Sequence, residues 1–146
     1  MLLKEEDLNK ILEYIKDYFG ESINKDILKI NDDLSLKISK TFRQKIRDIF
    51  NKNLDNYINK LKQETMKMDT KSYMYTMKNE FKRNSYNDIV DLNLWRYNKM
   101  SKKINGSKGL NIFDIAIVVA DAKNDYNKVC FYIFLQEGLI NKNNKN

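Results

Sequence analysis

The chain contains no histidine, no proline, one cysteine and four glycines. Each shortage removes something. Without an imidazole, Ser-His and Cys-His nucleophilic pairs are excluded within this chain. The usual zinc ligand sets fail as well, because Cys130 is the sole soft ligand. A lone cysteine forms no internal disulfide, and inside the apolar run around it Cys130 reads as a small hydrophobe. Without proline and with few glycines, the chain has few residues that mark turns from sequence. No cofactor and no metal site is expected. Arginine is scarce too: of 27 basic residues only Arg43, Arg47, Arg83 and Arg96 are arginine.

Long apolar runs are missing. The longest, Ile115–Ala120 and Val129–Leu135, are far too short to span a bilayer, so no membrane partner is expected. The opening Met1-Leu2-Leu3 passes at once into Lys4, Glu5, Glu6 and Asp7, which reads as neither a signal nor a transit peptide. A cytoplasmic location is the expectation.

What is present is enough for a core. The chain has 146 residues, of which 42% are hydrophobic, the size and composition of one self-supporting unit. We expect a single helical domain over residues 1–140 and a disordered polar tail over residues 141–146.

The net charge is +7, which points towards nucleic acid. Lysine carries most of it. With abundant Asn, Ile and Tyr, that usage is also what an AT-rich genome writes whatever the function. Its distribution says more. Residues 1–33 hold five basic and nine acidic residues, residues 34–63 hold eight and two, residues 64–110 hold ten and five, and residues 111–146 hold four and four. The excess belongs to the middle of the chain.

Leu8, Ile11, Leu12, Ile15, Tyr18 and Phe19 recur at helical spacing, and Gly20 follows as a C-cap, predicting a helix over 5–19. Ile27, Leu28 and Ile30 suggest a short helical turn. Leu34, Leu36 and Ile38 alternate with polar residues, but no partner strand is evident, so the segment reads as an extended connector. Thr41 with Gln44 fits a capping box. Phe42, Ile46, Ile49, Phe50, Leu54, Tyr57, Ile58 and Leu61 then mark one face of a helix to about residue 66. Asp69 or Thr70 would cap a further helix, and Ser85 or Asn87 another. The run from Asn105 to Gly109 reads as a loop. Ile112–Leu135 fits two buried helices, capped by Asn111 and by Asn124 or Asp125, or else a β-hairpin. The fold class expected is all-α, a compact bundle of about five or six helices with one long central helix. The alternative is α+β with a C-terminal β-hairpin at 112–135.

Two clusters carry candidate chemistry. Lys37, Lys40, Arg43, Lys45, Arg47, Lys52, Lys60 and Lys62 surround only two acids, Asp48 and Asp55, along the long helix. Such a face suits a phosphate backbone; it equally suits a solvated surface. The second cluster sets Lys78, Lys82, Arg83, Arg96 and Lys99 among Tyr73, Tyr75, Tyr86, Trp95 and Tyr97, the mixture on which single strands stack. The residues expected to bind nucleic acid are Lys40, Arg43, Arg47, Lys82, Arg83 and Arg96 for phosphate, and Tyr97 for stacking. Two short Asp…(Asp/Glu)-x-Lys patterns match a Mg²⁺-dependent nuclease: Asp69 with Glu80-Phe81-Lys82, and Asp114 with Asp121-Ala122-Lys123. Asp114 and Asp121 are seven apart, which suits two turns of one helix better than a hairpin.

The expected function is therefore a non-catalytic nucleic-acid-binding protein, for DNA or RNA, of the kind a phage or mobile element carries. The competing reading is a protein-interaction module or inhibitor, whose acidic N-terminal helix docks on a larger nucleic-acid-handling partner. A nuclease comes third.

Overall fold

The computed structural model describes residues 4–64, 92–106 and 109–143. The helices expected to begin near Asp69 and Ser85 lie largely outside the described residues. Among those described, five α-helices and one two-stranded sheet give a mostly-α fold. By contact the chain divides into two units: the first comprises Met1–Asn53 with Gly109–Asn146, the second Leu54–Lys108.

In the first unit, α1 spans Glu5–Phe19. Glu5, Glu6 and Asp7 occupy its first turn, where the helix dipole is positive. Ile11 and Ile15 are buried. Gly20 ends the helix at φ 87°, a left-handed backbone that glycine adopts without a Cβ clash, and its N–H donates to the Lys16 carbonyl at 2.6 Å. A 3₁₀ turn, Glu21–Lys25, follows and buries Ile23.

The next segment departs from the sequence reading. Ile27–Ile30 is strand β1, not a helical turn, and it pairs antiparallel with β2, Leu36–Ile38. The register sets Ile30 opposite Leu36, Lys29 opposite Lys37 and Ile27 opposite Ile38, with Leu28 bulged out between. The bulge has a clear result: Ile27 returns to the side of Ile38, and Leu28 is left 57% exposed. The turn is a three-residue loop, Asp32-Asp33-Leu34, closed by Asn31 N–H to the Ser35 carbonyl at 2.9 Å. Leu34 holds the left-handed position at φ 68°. That position normally takes Gly or Asn, and a leucine there costs about 1–2 kcal/mol. Asp33 supports it by accepting bonds from the Ser35 N–H and hydroxyl. β2 also touches the chain at 110–112: Leu36 N–H reaches the Leu110 carbonyl at 2.8 Å, and Ser35 bridges Asn111.

The long helix α2, Lys40–Glu64, has 25 residues, about 37 Å at 1.5 Å each. Its cap is Ser39, not Thr41. The Ser39 hydroxyl oxygen accepts the Phe42 N–H at 3.1 Å and donates to the Asp26 carboxylate at 2.8 Å, while Ser39 N–H bonds the Asp26 carbonyl at 2.8 Å. Phe42, Ile46 and Phe50 are buried, the Phe42 ring lies 5.0 Å from Phe19, and Asn53 donates to the Val118 carbonyl at 3.3 Å.

Residues 112–122 and 126–135 are helical, so the alternative hairpin there is overturned. α4, Ile112–Ala122, is buried at every position from Ile112 to Ala120. A helix surrounded on all sides is apolar all round, and this explains why its Ile- and Val-rich run shows no clear period. Asn111 caps it in a reciprocal box: Asp114 N–H bonds Asn111 Oδ1 at 2.9 Å, and Asn111 N–H bonds Asp114 Oδ2 at 2.9 Å. Asn124 turns the chain left-handed at φ 57°, and Asp125 caps α5, Tyr126–Asn143, by accepting the Lys128 N–H at 3.2 Å. Residues 141–143, read from sequence as tail, are thus helical. From α5, Gln136 donates to Asn111 Oδ1 at 3.0 Å and to Asp114 Oδ1 at 2.8 Å.

In the second unit, the described residues are the C-terminal part of α2 and helix α3, Leu92–Asn105. Leu94, Trp95, Tyr97, Met100 and Ile104 are buried, and the Tyr57 and Tyr97 rings lie 5.0 Å apart. After α3 comes Gly106, where an added Cβ would sit 2.5 Å from the Lys102 carbonyl oxygen.

The Asn111–Asp114–Gln136 network makes a direct prediction. Asp114→Ala removes the cap's return bond and one of the two bonds of the buried Gln136 amide, which keeps Asn111 Oδ1, and urea unfolding should show a loss of about 2 kcal/mol. Asp114→Asn, which keeps one of the two acceptor oxygens, should lose less. Equal stability of Asp114→Ala and wild type would show that the network contributes nothing.

Candidate functional site

The sequence-expected site residues fall into two groups, one in each unit. Lys40, Arg43 and Arg47 belong to the first. Lys40 is the first residue of α2 and is exposed; Arg43 and Arg47 are half-buried, one and two turns further on. They flank one edge of the apolar stripe formed by Phe42, Ile46 and Phe50. Such boundary positions bury an arginine's stem, and at Arg47 the burial reaches the guanidinium Nε. Arg47 Nη1 donates to Gln44 Oε1 at 3.4 Å, and the Gln44 amide in turn bonds Asp48 at 2.8 Å. Lys45 and Lys52 lie beyond the other edge of the stripe and are exposed.

The electrostatics of this helix end are unusual. No acid stands in the first turn of α2. Lys40, Arg43 and Lys45 are there or directly after it, at the end where the helix dipole is itself positive. α1 shows the ordinary arrangement, with three acids in that place. At α2 the compensating carboxylate comes from outside the helix, as Asp26 on Ser39.

Arg96 and Tyr97 belong to the second unit and are 8% and 3% exposed. The Arg96 guanidinium lies 4.1 Å from the Tyr97 ring centre; its Nη2 donates to the Tyr97 hydroxyl at 3.1 Å, and its Nε donates to Asn93 Oδ1 at 3.1 Å. Trp95 is buried too, with the Lys99 ammonium 4.9 Å from its ring. Among the described residues the exposed aromatic side chains are Tyr18 on α1, at 41%, and Tyr126, Phe131 and Phe134 on α5, each at least half exposed; Tyr73, Tyr75 and Tyr86 lie outside the described residues. Phe131 and Phe134 stand three apart, a spacing the apolar run Val129–Leu135 conceals because every residue in it is apolar. Lys82 and Arg83 lie outside the described residues, as do Asp69 and Glu80 of the first nuclease-like pattern.

Of the second such pattern, Asp114 and Asp121 lie on one helix, as their spacing suggests. The Asp114 carboxylate is 2% exposed and accepts bonds from Asn111 and Gln136 on its two oxygens. Among the described residues, no three acidic or cysteine side chains converge as a metal site would require. Nor is any described helix long and apolar enough to cross a membrane.

Tyr14 is a titrating feature outside both groups. Its ring meets Tyr132 edge-on at 5.6 Å, and the Lys123 ammonium lies 4.6 Å from its centre. Burial first, and the Asp125 carboxylate second, push its hydroxyl from 10.0 up to about 12. Burial and Asp125 raise Tyr132 as well. The folded state therefore holds these protons more tightly than the unfolded chain. The stabilisation is complete below pH 10 and is lost as pH rises towards 12. Tyrosinate absorbance should accordingly show a late-titrating fraction that Tyr14→Phe reduces; ordinary titration of all the tyrosines would contradict the packing described. Compared with known proteins, the chain matches no protein-family model, no curated protein and no solved structure.

Proposed function

We propose that this chain is a non-catalytic nucleic-acid-binding protein that contacts the phosphate backbone through Lys40, Arg43 and Arg47 at the N-terminal end of α2. The observation that carries this reading is the charge placement there. Lys40 and Arg43 stand in the opening turn of the helix, where the dipole disfavours them and where α1 places acids, and Arg47 follows Arg43 on the same side one turn on. A polyanion turns the same arrangement into an attraction, because Lys and Arg contacts release condensed counterions. Lys82 and Arg83 belong to the same proposal as basic residues of the middle segment. Burial leaves little of Arg96 and Tyr97 to reach a strand, and in this reading they act as packing that supports α3.

Binding of labelled single- and double-stranded DNA and RNA, compared at about 50 and 200 mM salt, tests the reading. Wild type should bind at the lower salt and lose affinity steeply at the higher. Arg43→Glu with Arg47→Glu should abolish binding while the far-UV circular dichroism stays helical. Binding that survives this double reversal would reduce the face to a solvated surface.

A second reading, a protein-interaction module, has its own observation. Phe131 and Phe134 are 50% and 57% exposed on one side of α5, and exposed aromatic pairs are common anchors of protein interfaces.

A further inference from the structure

We infer that Lys29 and Lys37, opposite each other on the outer face of the β1–β2 hairpin, form a two-lysine contact for the nucleic-acid phosphate backbone. This rests on the nucleic-acid reading above and extends it to a surface that residue spacing along the chain does not bring together.

The register pairs these two lysines directly, between the apolar pairs Ile30–Leu36 and Ile27–Ile38. Both are exposed. Like charges directly opposite in an antiparallel ladder repel and weaken it. Among the described residues, neither lysine has a carboxylate within ion-pair distance. Of the acids around the hairpin, Asp26 holds the Ser39 cap and Asp33 holds Ser35, while Asp32 is exposed on the groove that Lys29 lines, beyond ion-pair distance. No ion pair among the described residues offsets the repulsion in this two-stranded sheet.

The bulge at Leu28 adjusts register on one side of this pair only. Opposed residues in such a ladder have Cα atoms about 5 Å apart. Two flexible lysine stems from that base can bring both ammonium groups onto the oxygens of one phosphodiester. β2 leads directly through Ser39 into α2, so Lys37 stands three residues before Lys40. The hairpin pair and the first turn of α2 are joined by the Ser39–Asp26 bonds of 2.8 Å, which fix β1 to the helix start. The two unfavourable placements of positive charge in this unit are therefore neighbours, and one polyanion relieves both.

The test is Lys29→Gln with Lys37→Gln in the full chain, binding the same labelled nucleic acids. The loss of affinity between about 50 and 200 mM salt should shrink about tenfold, the effect of two missing phosphate contacts. The melting temperature without nucleic acid should stay the same or rise, because a repulsion has been removed. Lys37→Gln alone should give about half the change in salt slope. A double variant that keeps wild-type affinity and slope, while Arg43→Glu with Arg47→Glu still abolishes binding, overturns this inference and leaves the α2 reading standing. A wild-type chain that binds none of the probes at the lower salt sinks both.

Discussion

The first unit depends on how one buried carboxylate is satisfied. Asp114 lies in the first turn of a helix that is apolar and enclosed on all sides, at 2% exposure. A bare carboxylate there would carry a large desolvation cost. Asn111 N–H and the Gln136 amide meet it at 2.9 and 2.8 Å. Those donors come from the segment entering α4 and from α5, and Asn111 also bridges Ser35 beside the hairpin. Three parts of the unit are thereby tied to one point. The same engagement makes Asp114 a structural residue and takes it away from the nuclease-like pattern.

Charge in this unit follows two rules at once. α1 obeys the helix dipole, with Glu5, Glu6 and Asp7 at its positive end. The hairpin and α2 break it, with Lys29 facing Lys37 and with Lys40, Arg43 and Lys45 at a helix start. The cap is where the two regimes meet. Asp26 bonds Ser39 by both backbone and side chain, which brings one carboxylate to the helix end, and among the described residues no ion pair reaches Lys29 or Lys37.

Much of the helical content was legible. The stripe from Leu8 to Phe19 and the face from Phe42 to Leu61 have a clean period, because each helix is buried on one side only. Asn111 and Asp125 could be named as caps from residue type and position. The hairpin was not legible, for two reasons. Its left-handed turn position holds Leu34 rather than glycine, so Asn31, Asp32 and Asp33 lack the glycine that would mark them as a hairpin turn before β2. The bulge at Leu28 breaks the alternation of β1, so that Ile27, Leu28 and Ile30 imitate a helical turn. With β1 disguised, β2 had no visible partner, and Lys29 could not be seen opposite Lys37.

The sequence by itself determined what chemistry this chain lacks and where its charge lies. The absence of histidine and the single cysteine limit side-chain chemistry whatever the fold, and charge is counted along the chain without reference to contacts. Tertiary structure alone decided which of those residues reach the surface. Arg96 and Tyr97 are enclosed while Phe131 and Phe134 are exposed, and Lys29 meets Lys37 across a ladder. The physical reason is that burial and cross-strand pairing depend on residues distant in sequence, whereas periodicity records only near neighbours.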